Sequence, residues 1–140
     1  MNIFRKNTDY ALRMMGNLAG NYGQQAVSVR MLARQEDVSY QFACKILQKL
    51  QGAGLVESAM GPAGGYRLCR EPEKITMLNV IRAMQGNVVV NRCTDENDNC
   101  PRQANCPVSK VLCQLQQDVD EFFVKVTLED VLDGNCTKAK

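Results

Sequence analysis

The chain has no histidine among its 140 residues. That removes the side chain most used as a general base near neutral pH, and the common nitrogen ligand for zinc or iron. Any metal would have to be held by sulfur, with oxygen as the one available helper. No apolar run approaches the roughly 20 residues that cross a bilayer. The opening MNIFRKNTDY carries charges where a signal peptide places its apolar stretch. These absences point to a cytoplasmic protein with no membrane partner. Low-complexity tracts and the composition of a disordered chain are also missing. There is no phosphate-binding loop and no nucleophile motif, so an enzyme is not expected.

What is present suits one globular domain, with room for an extra element: 45% of residues are hydrophobic and 23% charged. Seven cysteines are an odd number, so a purely intramolecular disulfide framework would leave one over. In a reducing compartment such a set is metal-binding, reactive or buried. The net charge of +2 is unevenly spread. Residues 1–74 hold ten Lys/Arg against six Asp/Glu, and residues 75–140 hold seven against nine. The basic first half favours an anionic partner there.

Near the start, Ala11, Met14, Met15, Leu18, Ala19 and Tyr22 recur at helical spacing, with Asn7 or Thr8 as cap and Asp9 in the first turn. Next, Ser28 can cap a short helix carrying Met31, Leu32 and Ala33. Glu36 to Val38 is a tight connection. Ser39 can cap a second helix that buries Phe42, Ala43, Ile46, Leu47 and Leu50, and Gly52 and Gly54 end it. Two short helices so joined are either a helix-turn-helix or a plain helical hairpin. The following LVESAM and YRLCR read as strands around GPAGG, a hairpin placed where a winged helix has its wing. The candidate DNA contacts are then Ser39, Tyr40, Gln41, Lys45, Gln48 and Lys49 on the second helix, for a major groove. On the wing they are Arg67 and the amides of Gly64 and Gly65, for phosphates.

Ile75, Leu78, Ile81 and Met84 predict a further helix ending at Gly86. A polar stretch, NRCTDENDNCPRQANCPVSK, then holds Cys93, Cys100 and Cys106. Structural zinc sites use close C-x2-C pairs, and this spacing is wider. Such thiols can wrap an iron–sulfur cluster, or they can be redox thiols. Pro107 suits a first helical position, which puts Cys106 at a helix N-terminus, where the dipole favours a thiolate. Val108, Val111, Leu112, Leu115, Val119, Phe122, Phe123 and Val126 then form a long apolar stripe, more than one small domain covers. A second copy of the same helix is the expected partner. TLEDVL reads as a capped final turn. The fold class is therefore mainly α with a small β-hairpin wing: a winged helix-turn-helix over residues 1–86, a cysteine-rich loop over 87–107, and a dimerisation helix with its tail over 108–140.

The order NTDYALRMM, VSYQFACKILQKLQGAGLV, GPAGGYRLCREPEKITMLNVIRAMQG and then the cysteine triad resembles one family along nearly the whole chain. It is the bacterial winged-helix transcription regulators that include the iron–sulfur regulator IscR, the nitric-oxide-sensitive repressor NsrR and the rhizobial iron regulator RirA. The wing signature (Gly61, Gly64, Gly65, Tyr66, Leu68, Arg70, Pro72) carries much of the likeness. The resemblance implies a homodimer on a roughly palindromic operator in double-stranded DNA, with a cluster whose state sets affinity. IscR-like members have a histidine ligand three residues after the third cysteine. Here that position is Ser109, which disfavours a [2Fe–2S] site of that type. Nitric-oxide-sensing members use a first-helix aspartate from the other subunit, which here is Asp9. The implied centre is a [4Fe–4S] cluster on Cys93, Cys100, Cys106 and the partner's Asp9, although Asp9 also suits a helix-start acid. The chain departs from the pattern at Glu36-Asp37-Val38, where many relatives have a glycine, and at Asn79 and Gln85, where they often have acids. Cys69 and Cys113 are expected in core or interface, Cys44 at the groove edge and Cys136 in the tail. Cys113 ranks first as a replacement ligand. Two other readings stay open: a repressor with thiols or a single metal and no cluster, and an iron–sulfur electron carrier.

Overall fold

The computed structural model describes residues 2–134. The first helix, α1 (Lys6–Gly20), starts before either expected cap, and its N-cap Arg5 makes no side-chain cap bond. Its start is instead tied to a distant residue. Gln85 Oε1 accepts from the Arg5 N–H at 3.0 Å and from the Thr8 hydroxyl at 2.6 Å. The Gln85 amide also donates to the Ile3 carbonyl at 3.1 Å. The helix ends before Tyr22, which is exposed rather than part of the buried stripe.

The helix-turn-helix is built by local chemistry. Ser28 Oγ accepts from the Met31 N–H at 3.2 Å and opens α2 (Val29–Gln35). This helix buries Leu32 and Ala33 but leaves Met31 in solvent. Its end is a double closure: Asp37 N–H donates to Arg34 O at 3.3 Å, and Val38 N–H to Ala33 O at 3.0 Å. That motif needs a left-handed residue, and Asp37 supplies it at φ 53°. The departure from glycine at this turn is therefore a side chain held in a glycine conformation. Ser39 Oγ accepts from the Phe42 N–H at 3.1 Å and opens α3 (Tyr40–Gly52). Ala43, Ile46, Leu47 and Leu50 are buried. Phe42 is half-buried, edge-on to Tyr10 at 5.5 Å. The same double closure ends α3, with Gly54 at φ 76°.

The wing is an antiparallel pair, β1 (Val56–Ala59) and β2 (Gly65–Leu68), in register Val56↔Leu68 to Ala59↔Gly65. It docks on the root of the helix-turn-helix. Tyr66 N–H donates to Val27 O at 2.8 Å, and Val27 N–H returns to Tyr66 O at 2.9 Å. The strand comes so close that a Cβ on Gly65 would run into the Val27 carbonyl oxygen. Cys69, just past β2, is exposed rather than packed, because the strand has left the core there.

Thr76 and Asn79 cap each other reciprocally at the start of α4 (Met77–Gln85), so Asn79 does the work of the acid usual in a capping box. After the cysteine loop, α5 (Pro107–Lys125) runs for 19 residues. A second reciprocal cap, Thr127 with Asp130, opens α6 (Leu128–Asp133). This last segment returns to the first body. Met77 N–H donates to Val126 O at 2.8 Å, Leu128 N–H to Ile75 O at 2.9 Å, and Leu128 is fully buried. The main core thus joins α1, α2, α3, the wing root, α4 and α6. A smaller cluster of Ile81, Val88 and Phe123 with Phe4 holds α5 on α4. Beyond those contacts the α5 stripe is open: Val108 is 62% and Val111 68% exposed, and Leu115 and Phe122 are exposed too. Among the described residues no helix is long and apolar enough to cross a membrane.

Candidate nucleic-acid interface and cysteine loop

The buried positions of α3 fix which side faces out. Gln41, Lys45 and Gln48 lie opposite Ala43, Ile46 and Leu47, and all three are exposed. Tyr40 is also exposed at the head of the helix, with the Arg30 guanidinium of α2 at 6.0 Å from its ring centre. A hydrogen bond with Cys44 and that neighbour's charge push the Tyr40 phenol above its ordinary range. Cys44 is half-buried on this flank. Ser39 has its hydroxyl engaged as the cap of α3. Lys49 turns toward the other flank, where its ammonium donates to Met84 O at 3.4 Å, at the end of α4. Lys45, Gln48 and Lys49 line a cleft of about 380 Å³ with Asn7, Phe42 and Met84. Lys6 stands 5.9 Å from the Phe42 ring.

Arg30 and Lys6 are thus cations beside α3 that the linear pattern does not single out. Each comes from another helix, and its nearness is a product of packing.

The wing departs from expectation in one respect. Gly64 N–H donates to Gly61 O at 2.9 Å, closing the hairpin turn, and so is not free for a phosphate. Gly65 is needed for the close pass at Val27 described above. Arg67 pairs with Glu57 across the strands at 2.8 Å, both side chains about half exposed. A phosphate would have to compete with that carboxylate, an exchange of small cost at an exposed pair.

Gln116 of α5 ties down the start of the cysteine loop. Gln116 Oε1 accepts from the Val90 N–H at 2.9 Å and the Thr94 hydroxyl at 2.9 Å. Its amide donates to Val88 O at 2.8 Å. Cys93 lies on a single turn of 3-10 helix, Arg92–Thr94, and is only 5% exposed. Its carbonyl accepts from Gln103 at 3.0 Å. Cys100 and Cys106 are half-buried. Cys106 is the N-cap of α5, followed by Pro107, and its side chain makes no cap bond. The thiol therefore sits at a helix N-terminus without being used by it. Asp9 is exposed and pairs with Arg13 one turn on, at 3.3 Å. Cys136 lies outside the described residues. Among those described, no group of three or more Cys, Asp or Glu side chains is gathered closely enough to hold a metal ion. The structure thus places the triad on one loop but does not draw its thiols together.

A family model described as Rrf2, iron-dependent transcriptional regulator, matches residues 4–134. The chain belongs to the Rrf2 family. Protein rrf2 of Nitratidesulfovibrio vulgaris is 32% identical over 123 residues, covering 88% of this chain and 82% of the relative. Among solved structures, CymR, the global cysteine regulator of B. subtilis, superposes with a TM-score of 0.80 at 26% identity, covering 96% of this chain and 99% of CymR. T. potens IscR superposes at 0.73 with 26% identity, covering 94% and 86%. The fold is that of Rrf2 winged-helix regulators, and an Rrf2 transcriptional regulator acts on DNA. The donor chemistry of the loop, three thiols within 14 residues and no imidazole, fits an iron–sulfur centre in kind. The positions of those donors in the single chain do not form its ligand set.

Proposed function

We propose that the protein is a homodimeric repressor on a roughly palindromic operator, with an affinity set by an iron–sulfur cluster. The observation that carries this reading is the setting of the triad. Cys93, Cys100 and Cys106 occupy one loop between the winged body and a helix whose apolar face is uncovered. Cys93, Cys100 and Cys106 would hold a [4Fe–4S] centre, with Asp9 of the partner subunit as fourth ligand. When bound, the centre supplies an iron–thiolate link that nitric oxide, oxygen or iron shortage can dismantle.

The chain's own residues do the rest. Val108, Val111, Leu115 and Phe122 supply the dimer face. Gln41, Lys45 and Gln48 read the major groove, Tyr40 flanks them, and Lys49 and Arg67 lie nearer the backbone. Gln116 holds the start of the loop on α5, so a change at the triad moves that helix relative to the winged body. Two recognition helices must sit about 34–36 Å apart to meet successive half-sites, and the tilt of α5 sets that span.

Native mass spectrometry of anaerobically purified protein tests this. The reading expects a dimer carrying about four iron and four sulfide per subunit. A dimer without sulfide supports a second reading, a repressor switched by thiols alone.

A further inference from the structure

We propose that Cys93 and Cys113 are a redox-active dithiol pair, closing to a disulfide when the loop carries no metal. The inference goes beyond the cluster reading and does not need it. The polar anchor of the loop fixes the juxtaposition. Thr94 and Gln116 are hydrogen-bonded at 2.9 Å. Cys93 is one residue before Thr94, and Cys113 is one helical turn before Gln116 on the same side of α5. Both cysteines line one open cavity of about 180 Å³, with Thr94, Asp95, Glu96, Gln103 and Gln116. Neither Cys100 nor Cys106 lines it.

Cys113 also points away from the open stripe. It is two residues from both Val111 and Leu115, about 200° around the helix from each. Dimerisation through that stripe leaves the pair within one subunit. Cys113, expected in core or interface, is half-buried here and shares a cavity with the cysteine loop of its own chain.

The chemistry balances with glutathione disulfide as oxidant. The half-buried Cys113 thiolate attacks one sulfur of the oxidant, that S–S bond breaks, and one glutathione thiolate leaves. The buried Cys93 thiolate then attacks the Cys113 sulfur and expels the second glutathione. The two protons lost by the protein thiols end on the two glutathione thiolates. Two protein thiols and one glutathione disulfide thus give one protein disulfide and two glutathiones. Because Cys93 belongs to both sets, the disulfide withdraws a thiol from the triad and blocks reloading until it is reduced.

Peptide mapping of the whole chain tests the pair. The protein is stripped of iron with a chelator, treated with glutathione disulfide, alkylated and digested with trypsin. Cleavage after Arg92, Arg102, Lys110 and Lys125 separates Cys113 from Cys106, and both from Cys93 with Cys100. The expected product joins the peptide of residues 93–102 to that of 111–125, with Cys100 alkylated, in a species running as one chain without reductant. Several products would overturn the proposal: a Cys93–Cys100 link, a link to the Cys106 peptide, a Cys113 link between subunits, or glutathione adducts alone. Wild-type protein lacking sulfide would end the cluster reading and leave a Cys93–Cys113 link standing. Absence of the link would leave the cluster reading untouched.

Discussion

In the winged body, Leu32, Ile46, Leu47 and Leu50 are shut from solvent, and α2, α3, α4 and α6 each begin at a serine or threonine cap. In residues 87–125 the buried side chains are Val88, Cys93, Ser109 and Phe123, and the loop hangs from the carboxamide of Gln116. The body encloses a continuous core and caps four of its helices with its own hydroxyls. The arm leaves a stripe of valine, leucine and phenylalanine in water and three thiols without a common partner. The contrast teaches that the fold is complete within one chain whereas the site is not. Under the proposed function the remaining parts come from a second subunit and a cluster.

Equal truncations in the two regions give unequal results under this account. Leu47→Ala opens a cavity in a closed core and costs about 2–5 kcal/mol, read by chemical denaturation. Leu115→Ala removes the same atoms from an open face. It leaves monomer unfolding almost unchanged and shifts the dimer toward monomer in sedimentation. A similar stability loss in both would erase the distinction between body and arm.

Gly65→Ala forces a methyl against the Val27 carbonyl. Overpacking of this kind costs about 1–3 kcal/mol. The Val27 and Tyr66 amides, which bond each other's carbonyls, should exchange with solvent faster in the variant. Gln116→Ala removes the anchor of the loop, at about 0.5–1.5 kcal/mol for each hydrogen bond lost. Hydrogen exchange should quicken at Val90 while Leu47 and Leu50 stay protected. Exchange spreading into α3 would mean that the arm and the body unfold as one unit. The smallest effect is Asp37→Gly. Relief of a left-handed side chain, offset by a looser unfolded chain, should stabilise the helix-turn-helix by at most about 1 kcal/mol, seen as a small rise in Tm.

The body was also the part most legible in the sequence, for the same reason that it is complete. Ser28, Ser39, Thr127 and the buried face of α3 act on neighbours within one or two turns, so spacing reveals them. Gln85 closing α1, Lys49 turned to Met84 and Leu128 returning to the first core depend on distant segments. No local pattern records such contacts. The triad was legible as a loop of thiols, because cysteines in a polar segment stand out. The cavity shared by Cys93 and Cys113 was not, since it depends on how α5 packs against the loop.

The most direct test is operator binding by the anaerobic, cluster-loaded dimer and by the same dimer stripped of iron under reductant, at one salt concentration. Salt must be matched because phosphate contacts dominate its effect on affinity. The account predicts a difference of roughly 5–150-fold, a coupling of about 1–3 kcal/mol between the cysteine loop and α3. Equal affinity of the two forms would contradict it.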